Sequence, residues 1–311
     1  MSGALSPTAA VLAATGASGG DVCRPERGAA AGCRAMAALL PDGRLHLQHG
    51  PIDIVAEAWG EPALLREAYA RAARRFSSIL GELVAELPAL RAEDAPLHGP
   101  VARRMAAAVA PFRPAFITPM AAVAGAVAEE VLAALAGPGI IRACVNNGGD
   151  IALHLTPGQR LTCALAASSG RDHTAVGWGD PIRGIATSGW RGRSFSLGIA
   201  DAVTVLARTA AMADAAATMV ANAVDLPGHP GILRRPACEI QADSDLGTRP
   251  VTVAVPDLSP KDRDCALDAG FAAAEAFRAR GLIEAAAIYL QGDRRVTGGL
   301  ALLTPGKEED D

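Results

Sequence analysis

The sequence predicts an α+β fold in which mostly antiparallel sheets are layered against long helices. Three observations carry that expectation. Strand-like runs come in groups joined by hairpin-length turns, notably over 44–58 and 140–166. Helical runs are long, from Pro62 to about Leu87 and from Pro260 to Arg280. The two kinds of run do not alternate singly, as a doubly wound parallel sheet requires.

The elements follow in chain order. Structure is expected to begin near Gly43, where Arg44-Leu45-His46-Leu47-Gln48-His49 alternates as a half-buried strand. Gly50-Pro51 turns the chain, and Ile52 to Ala58 returns as its partner. Leu64, Leu65, Ala68, Ala72, Phe76, Ile79, Leu80, Leu83 and Leu87 then recur at helical spacing. Pro88 is expected to end or kink that helix, and a second helix covers Pro100 to Val109. Thr118-Pro119 reads as an N-cap with proline at the first helical position. The helix it introduces carries Ala121, Gly125 and Ala128 on one face, small enough for close backbone approach. Strands are expected at 140–145, 149–155, 160–166, 182–187 and 202–207. An Ala-rich helix around Asp214, a strand over Val251–Val255, a helix over Pro260–Arg280 and a final strand over Ile283–Gln291 complete the set.

Composition narrows the function classes. The chain has 311 residues, enough for an ample core, and a net charge of −4 with its basic residues scattered, so no nucleic-acid track is present. No apolar run reaches the length needed to span a bilayer. Six cysteines (Cys23, Cys33, Cys144, Cys163, Cys238, Cys265) never reach CxxC spacing, which suits free thiols in a reducing cytoplasm. Residues 1–35, rich in Ala and Gly, are expected to be a disordered leader or a mis-assigned start before Met36. Residues 36–305 then form a single domain, and 306–311 an acidic tail.

Three segments can do chemistry. Asn146-Asn147-Gly148-Gly149-Asp150 lies between two apolar runs. Its glycines permit positive φ and can leave backbone N–H groups uncovered for a ligand, but Asn-Gly is equally hairpin chemistry. Asp214 and Thr218 stand one helical turn apart, with Asn222 a turn further on the same face. A carboxylate and a hydroxyl at that spacing can hold Mg²⁺ against a phosphate oxygen; they can also cap and back-bond a helix. Thr187-Ser188-Gly189 ends a strand in two hydroxyls, and Arg191-Gly192-Arg193 follows with two guanidiniums that could pair with phosphates. No phosphate loop, dinucleotide fingerprint or nucleophile elbow is present.

The order of these segments resembles the ApbE superfamily of flavin transferases. It comprises a small-residue helix with an internal Gly, Asn-x-Gly-Gly-Asp, a strand ending Thr-Ser-Gly, Val-Thr-Val, and Ala-Asp-x-x-x-Thr. The likeness runs from about Thr118 to Asp225, and a closer one, to a branch of ApbE-related proteins, extends from Met36 onward. The resemblance implies an ApbE-like fold, FAD or FMN bound with Mg²⁺, and either FMN transfer to a flavoprotein acceptor or FAD hydrolysis. It implies that Asp214 and Thr218 are the metal ligands. Asn146, Asn147, Gly148, Gly149 and Asp150 then form the flavin-site turn, with Thr187, Ser188 and Gly189 over the nucleotide. Gly125 falls where a neighbouring backbone carbonyl joins the metal shell. Two departures stand out. The family lysine is Ala124 here, and no histidine occupies Ser196 to Ala200, where the family's base is expected. Asp201 and Asp150 are the remaining acid/base candidates. The alternative is a non-catalytic flavin or small-ligand binding or assembly protein.

Overall fold

The computed structural model describes residues 34–164 and 173–299, with the backbone of Val11 and Leu12. Residues 1–10 and 13–33 of the expected leader, the acidic tail and positions 165–166 lie outside the described residues.

The strands are β1 (Val11–Leu12), β2 (Met36–Leu39), β3 (Leu45–His49), β4 (Ile52–Gly60), β5 (Ile140–Asn147), β6 (Asp150–Leu155) and β7 (Arg160–Ala164). They continue with β8 (His173–Gly177), β9 (Gly184–Ser188), β10 (Ala202–Ala207), β11 (Leu233–Pro236), β12 (Pro250–Ala254), β13 (Ala285–Leu290) and β14 (Asp293–Thr297). The helices are α1 (Pro62–Ala85), α2 (Leu87–Leu90), α3 (Pro100–Val109), α4 (Val123–Leu135), α5 (Ala210–Ala223), α6 (Ala237–Ile240) and α7 (Pro260–Ala279). Nine strands form one antiparallel sheet in the order β14-β13-β10-β9-β6-β5-β4-β3-β2. The α+β expectation holds. No helix among the described residues is long and apolar enough to cross a membrane.

Both faces of the central strands are covered. Val145, Ala152, Ala186, Val203 and Val205 face the helices in the larger core. The alternate residues Cys144, Ile151, Leu153, Ile185 and Leu206 face the other way, against Leu161, Cys163 and Val176 of the β7–β8 hairpin. Burial on both sides explains why these strands read as continuous apolar runs rather than as an alternation.

Several boundaries differ from expectation. Pro88 sits in the first turn of α2, so α1 stops at Ala85 and a new helical turn begins. Thr118 makes no cap bond, and a 3₁₀ turn over Pro119–Ala122 precedes α4. The Thr118 hydroxyl instead donates to Asp245. The edge strand β2 precedes the expected start at Gly43, β14 follows the strand expected to be last, and His173 opens β8.

Helix α5 is the centre of the molecule. Ala210, Ala211, Ala213, Ala215, Ala216, Ala217, Val220 and Ala221 are all buried on it. Three glycines touch its backbone from different elements. A Cβ at Gly125 of α4 would lie 2.3 Å from the Ala210 carbonyl oxygen, and one at Gly184 of β9 would lie 2.2 Å from the Ala210 nitrogen. A Cβ at Gly198 would lie 2.1 Å from the Ala221 oxygen. Alanine on the helix and glycine on its neighbours therefore serve one purpose, close approach of backbones.

The same crossing satisfies helix termini that would otherwise be buried without partners. Thr209 caps α5 by accepting from the Met212 amide, and Glu129 of α4 accepts from the Ala211 amide at 2.7 Å. Reciprocally, Asp214 of α5 accepts from the Gly125 amide at 3.0 Å, in the first turn of α4. Ala122, at the N-cap position of α4, has no side-chain acceptor of its own.

Gly125→Val is expected to destabilise the fold by roughly 3 kcal/mol or more, because the added carbons meet backbone that cannot yield. Gly81→Ala is the control: Gly81 is helical with nothing near its Cβ position. It should add about 0.5–1 kcal/mol. Urea midpoints of the two variants check the contrast.

Candidate functional site

The Asn146–Asp150 segment is a two-residue hairpin turn between β5 and β6, with Asn147 paired to Asp150. Gly148 and Gly149 have φ of 65° and 115°, as a tight primed turn demands. The Gly149 amide is not left open, since it donates to Asn146 Oδ1 at 2.8 Å. What the hairpin offers is a pair of polar side chains pointing inward. Asn147 and Asp150 are only 5% and 7% exposed. The Asn147 amide donates to the Ala124 carbonyl at 3.1 Å, and Asp150 Oδ1 accepts from the Thr187 amide at 3.1 Å.

Asp214 is the fifth residue of α5, so it does not cap its own helix. The polar stripe of α5 is partly consumed by backbone. Asp214 holds the Gly125 amide, and Asn222 Oδ1 accepts from the Leu197 amide at 2.9 Å and from Ser196 Oγ. Between them the Thr218 side chain makes no hydrogen bond among the described residues. Its hydroxyl is free to meet a ligand.

Two carboxylates share this interior. Burial raises the Asp150 carboxyl to about 7, while the Thr187 amide and the positive charge of Arg193 pull it down. Burial also raises Asp214 well above the ordinary carboxylate range; the negative charge of Asp150 adds to the rise and the Gly125 amide opposes it. Crowding two like charges this way favours protonation unless a cation joins them. The donors at hand are Asp214, Asp150, the Thr218 hydroxyl and the Ala124 carbonyl, an all-oxygen set suited to a hard cation such as Mg²⁺. No cluster of three or more His, Cys, Asp or Glu side chains that could hold a metal occurs among the described residues. A cation here needs waters or ligand oxygens to complete its shell.

The strand end 187–189 divides between the two faces. Thr187 follows Ile185 onto the hairpin side, where its hydroxyl pairs with Thr204 at 2.8 Å. Ser188 follows Ala186 toward the helices. Gly189 is required by close approach, since a Cβ there would lie 2.5 Å from the Asp201 carbonyl oxygen. Asp201 is committed on both oxygens, to Arg191 Nε at 2.6 Å and to the Gln291 amide at 2.5 Å. The structure thus brings together Asn147, Asp150, Gly125 and Asp214, with Thr218 a turn away on α5. The Thr187 hydroxyl and Asp201 are turned to other tasks. Sequence reasoning missed Glu129 as the second capping carboxylate; nothing in an Ala-rich helix with a Glu-Glu pair distinguishes it. It also gave Arg193 no more weight than Arg191, although only the former packs on the β5–β6 turn, against Gly148.

A carboxyl with a folded pKa above its unfolded value keeps its proton longer in the folded chain. Stability therefore falls as pH rises from the unfolded value of 3.8 toward the folded value of about 7. Thermal melts across that range should show the decline in the wild type and a shallower one in Asp150→Asn. Equal slopes contradict the assignment. At pH 8, millimolar Mg²⁺ should raise the wild-type melting temperature and leave that of Asp214→Asn unchanged.

Comparison with known proteins adds a lineage. The family model described as AbpE bacteria matches residues 37–296. A UPF0280 protein of Methanothermobacter thermautotrophicus is 41% identical over 135 residues, covering 42% of this chain and 51% of that protein. A UPF0280 protein of Methanopyrus kandleri is 40% identical over 164 residues, covering 49% of this chain and 63% of that protein. The chain thus spans about half to three-fifths of the length of these relatives. Among solved structures, a mutant of the flavin transferase ApbE from Vibrio cholerae aligns with 86% of this chain and 97% of its own. Its identity is 14% and its TM-score 0.40. With its family model spanning nearly every described element, the chain belongs to the AbpE bacteria family.

Proposed function

We propose that this protein binds a flavin nucleotide, FAD or FMN, together with Mg²⁺ in the cleft between the β5–β6 turn and α5, and acts on the pyrophosphate of FAD. The observation that carries the reading is the juxtaposition of a buried carboxylate, Asp150, and a half-buried one, Asp214, with the unpartnered hydroxyl of Thr218. A protein interior does not keep two like charges together cheaply, and a cation bound with an anionic ligand gives them a purpose. Asp214 and Thr218 would hold the metal, with the Ala124 carbonyl beside them. When bound, the metal supplies charge that stabilises the breaking phosphoanhydride.

The chain's own residues would do the following. Asp150, with a carboxyl titrating near neutrality, would take the proton of the attacking hydroxyl or water. The attacking group is water in FAD hydrolysis and a hydroxyl of a flavoprotein acceptor in FMN transfer. Asn147 would fix the Ala124 carbonyl in place through its side-chain amide. Ser188 would present its hydroxyl from the end of β9, with Gly189 allowing the chain to turn beside the nucleotide. Asp201 would hold Arg191 and the end of β13, a positioning role rather than a catalytic one. The four described cysteines are free thiols, which supports a cytoplasmic setting.

A second reading, a non-catalytic flavin-binding or assembly protein, is favoured by one observation. The segment Ser196 to Ala200 carries no histidine, and its backbone is fixed by Asn222 and Val224. Incubation of the purified protein with FAD and Mg²⁺ separates the two. The first reading expects bound flavin and release of FMN and AMP. In Asp150→Asn turnover should fall by about 10²-fold or more with binding retained, and in Asp214→Ala metal-dependent binding should disappear. Binding without turnover selects the second reading. Absence of flavin binding with and without metal sinks both.

A further inference from the structure

Arg191 and Arg193 differ by one glycine in sequence and completely in circumstance. Arg191 is ion-paired to Asp201 and its guanidinium lies over the Trp190 ring, 4.9 Å from the centroid. Arg193 is exposed and, among the described residues, has no ion pair or hydrogen bond. Its guanidinium nevertheless has a defined place. Nη2 lies 1.8 Å from where a Cβ on Gly148 would stand, so it packs directly on the backbone of the β5–β6 turn. Any side chain at residue 148 would displace it. Gly148 thus does two things: it supplies the positive φ of the turn, and it leaves the space in which the guanidinium sits.

Gly148 stands two residues before Asp150 in the same hairpin turn, so the guanidinium lies beside the turn that carries this carboxyl. A guanidinium kept at the rim of an acidic site, with its fork of donors unoccupied, matches the geometry of a phosphate. The candidate metal ligands Asp214 and Thr218 lie on α5, and the guanidinium lies on the β5–β6 turn that carries Asp150. A single phosphate can neutralise one end; two linked phosphates can engage both.

We infer that Arg193, seated on Gly148, is the diphosphate-contacting residue of this cleft and sets its preference for a dinucleotide over flavins that lack the second phosphate. The inference rests on the flavin-nucleotide reading and extends it to one residue and one ligand class. Arg193 contacts the phosphate away from the metal end, so FAD and inorganic pyrophosphate bind more tightly than FMN, and riboflavin gains nothing from the residue.

The test is equilibrium binding of FAD, riboflavin and inorganic pyrophosphate, in the presence of Mg²⁺, to the full chain and four variants. Arg193→Ala should weaken FAD and pyrophosphate by about ten-fold or more and leave riboflavin unchanged. Arg193→Lys, which keeps the charge but not the fork, should recover part of that loss. Gly148→Asn tolerates the positive φ while filling the seat, so it should reproduce Arg193→Ala in a chain that still melts cooperatively. Arg191→Ala removes the same charge from the same loop and should change pyrophosphate affinity by no more than about two-fold. Equal losses in Arg191→Ala and Arg193→Ala would reduce the effect to net charge and overturn the inference. Wild type that binds FAD and pyrophosphate with no loss in Arg193→Ala overturns it while leaving the flavin reading intact. Wild type that binds neither ligand removes both.

Discussion

The crossing of α4 and α5 at Gly125 is the constraint on which the rest of the molecule depends. Two helices meet there backbone to backbone, and their buried N-termini are satisfied by each other's carboxylates: Glu129 serves α5 and Asp214 serves α4. Both bonds are partly buried, and leaving such an amide unpaired would cost about 1–3 kcal/mol. The arrangement demands small residues on α5 and glycine on its neighbours, Gly184 of the sheet included. Those demands account for much of the unusual composition of this chain. An Ala-rich helix is weakly amphipathic, yet eight residues of this one are buried, and three glycines meet its backbone.

The site grows directly from that crossing. Asp214 cannot serve α4 without standing in the interior, and Asp150 cannot close the β5–β6 hairpin register without facing it. A structural requirement therefore creates an electrostatic problem, two carboxylates in one enclosed space. Arg193 relieves it from the rim, and Thr218 and the Ala124 carbonyl leave oxygen donors beside it. Asp214 is a capping group and a metal-ligand candidate at once, so Asp214→Ala changes the fold and the site together. Variants at Thr218 and Arg193, which the fold does not use in this way, report on the site alone.

Much of the fold was legible in the sequence because local rules and tertiary packing agree. The alternation at 44–58 and the helical spacing of α1 and α7 needed no tertiary information. Where tertiary contacts override local rules, the sequence misled. Thr118-Pro119 has the chemistry of an N-cap, but its hydroxyl is claimed by Asp245, 127 residues away. Thr187 and Ser188 looked equivalent as strand-end hydroxyls, yet the two-residue period sends them to opposite faces. Asp201 looked available and is occupied on both oxygens. The order of motifs marked the lineage, since the family match runs across the same segments. The pairing of Asp150 with Asp214 was not legible, because no spacing rule connects a hairpin to a helix 64 residues further on.

Under the proposed function, these two carboxylates are held together for a divalent cation bound with a flavin nucleotide. Anomalous diffraction from crystals grown with FAD and Mn²⁺, a stand-in for Mg²⁺ with the same oxygen preference, tests it most directly. The account expects one metal peak within bonding distance of the Asp214 carboxylate and Thr218 Oγ1, with flavin phosphate oxygens completing the shell. Flavin bound elsewhere, or a nucleotide in the cleft with no metal beside Asp214, would contradict it.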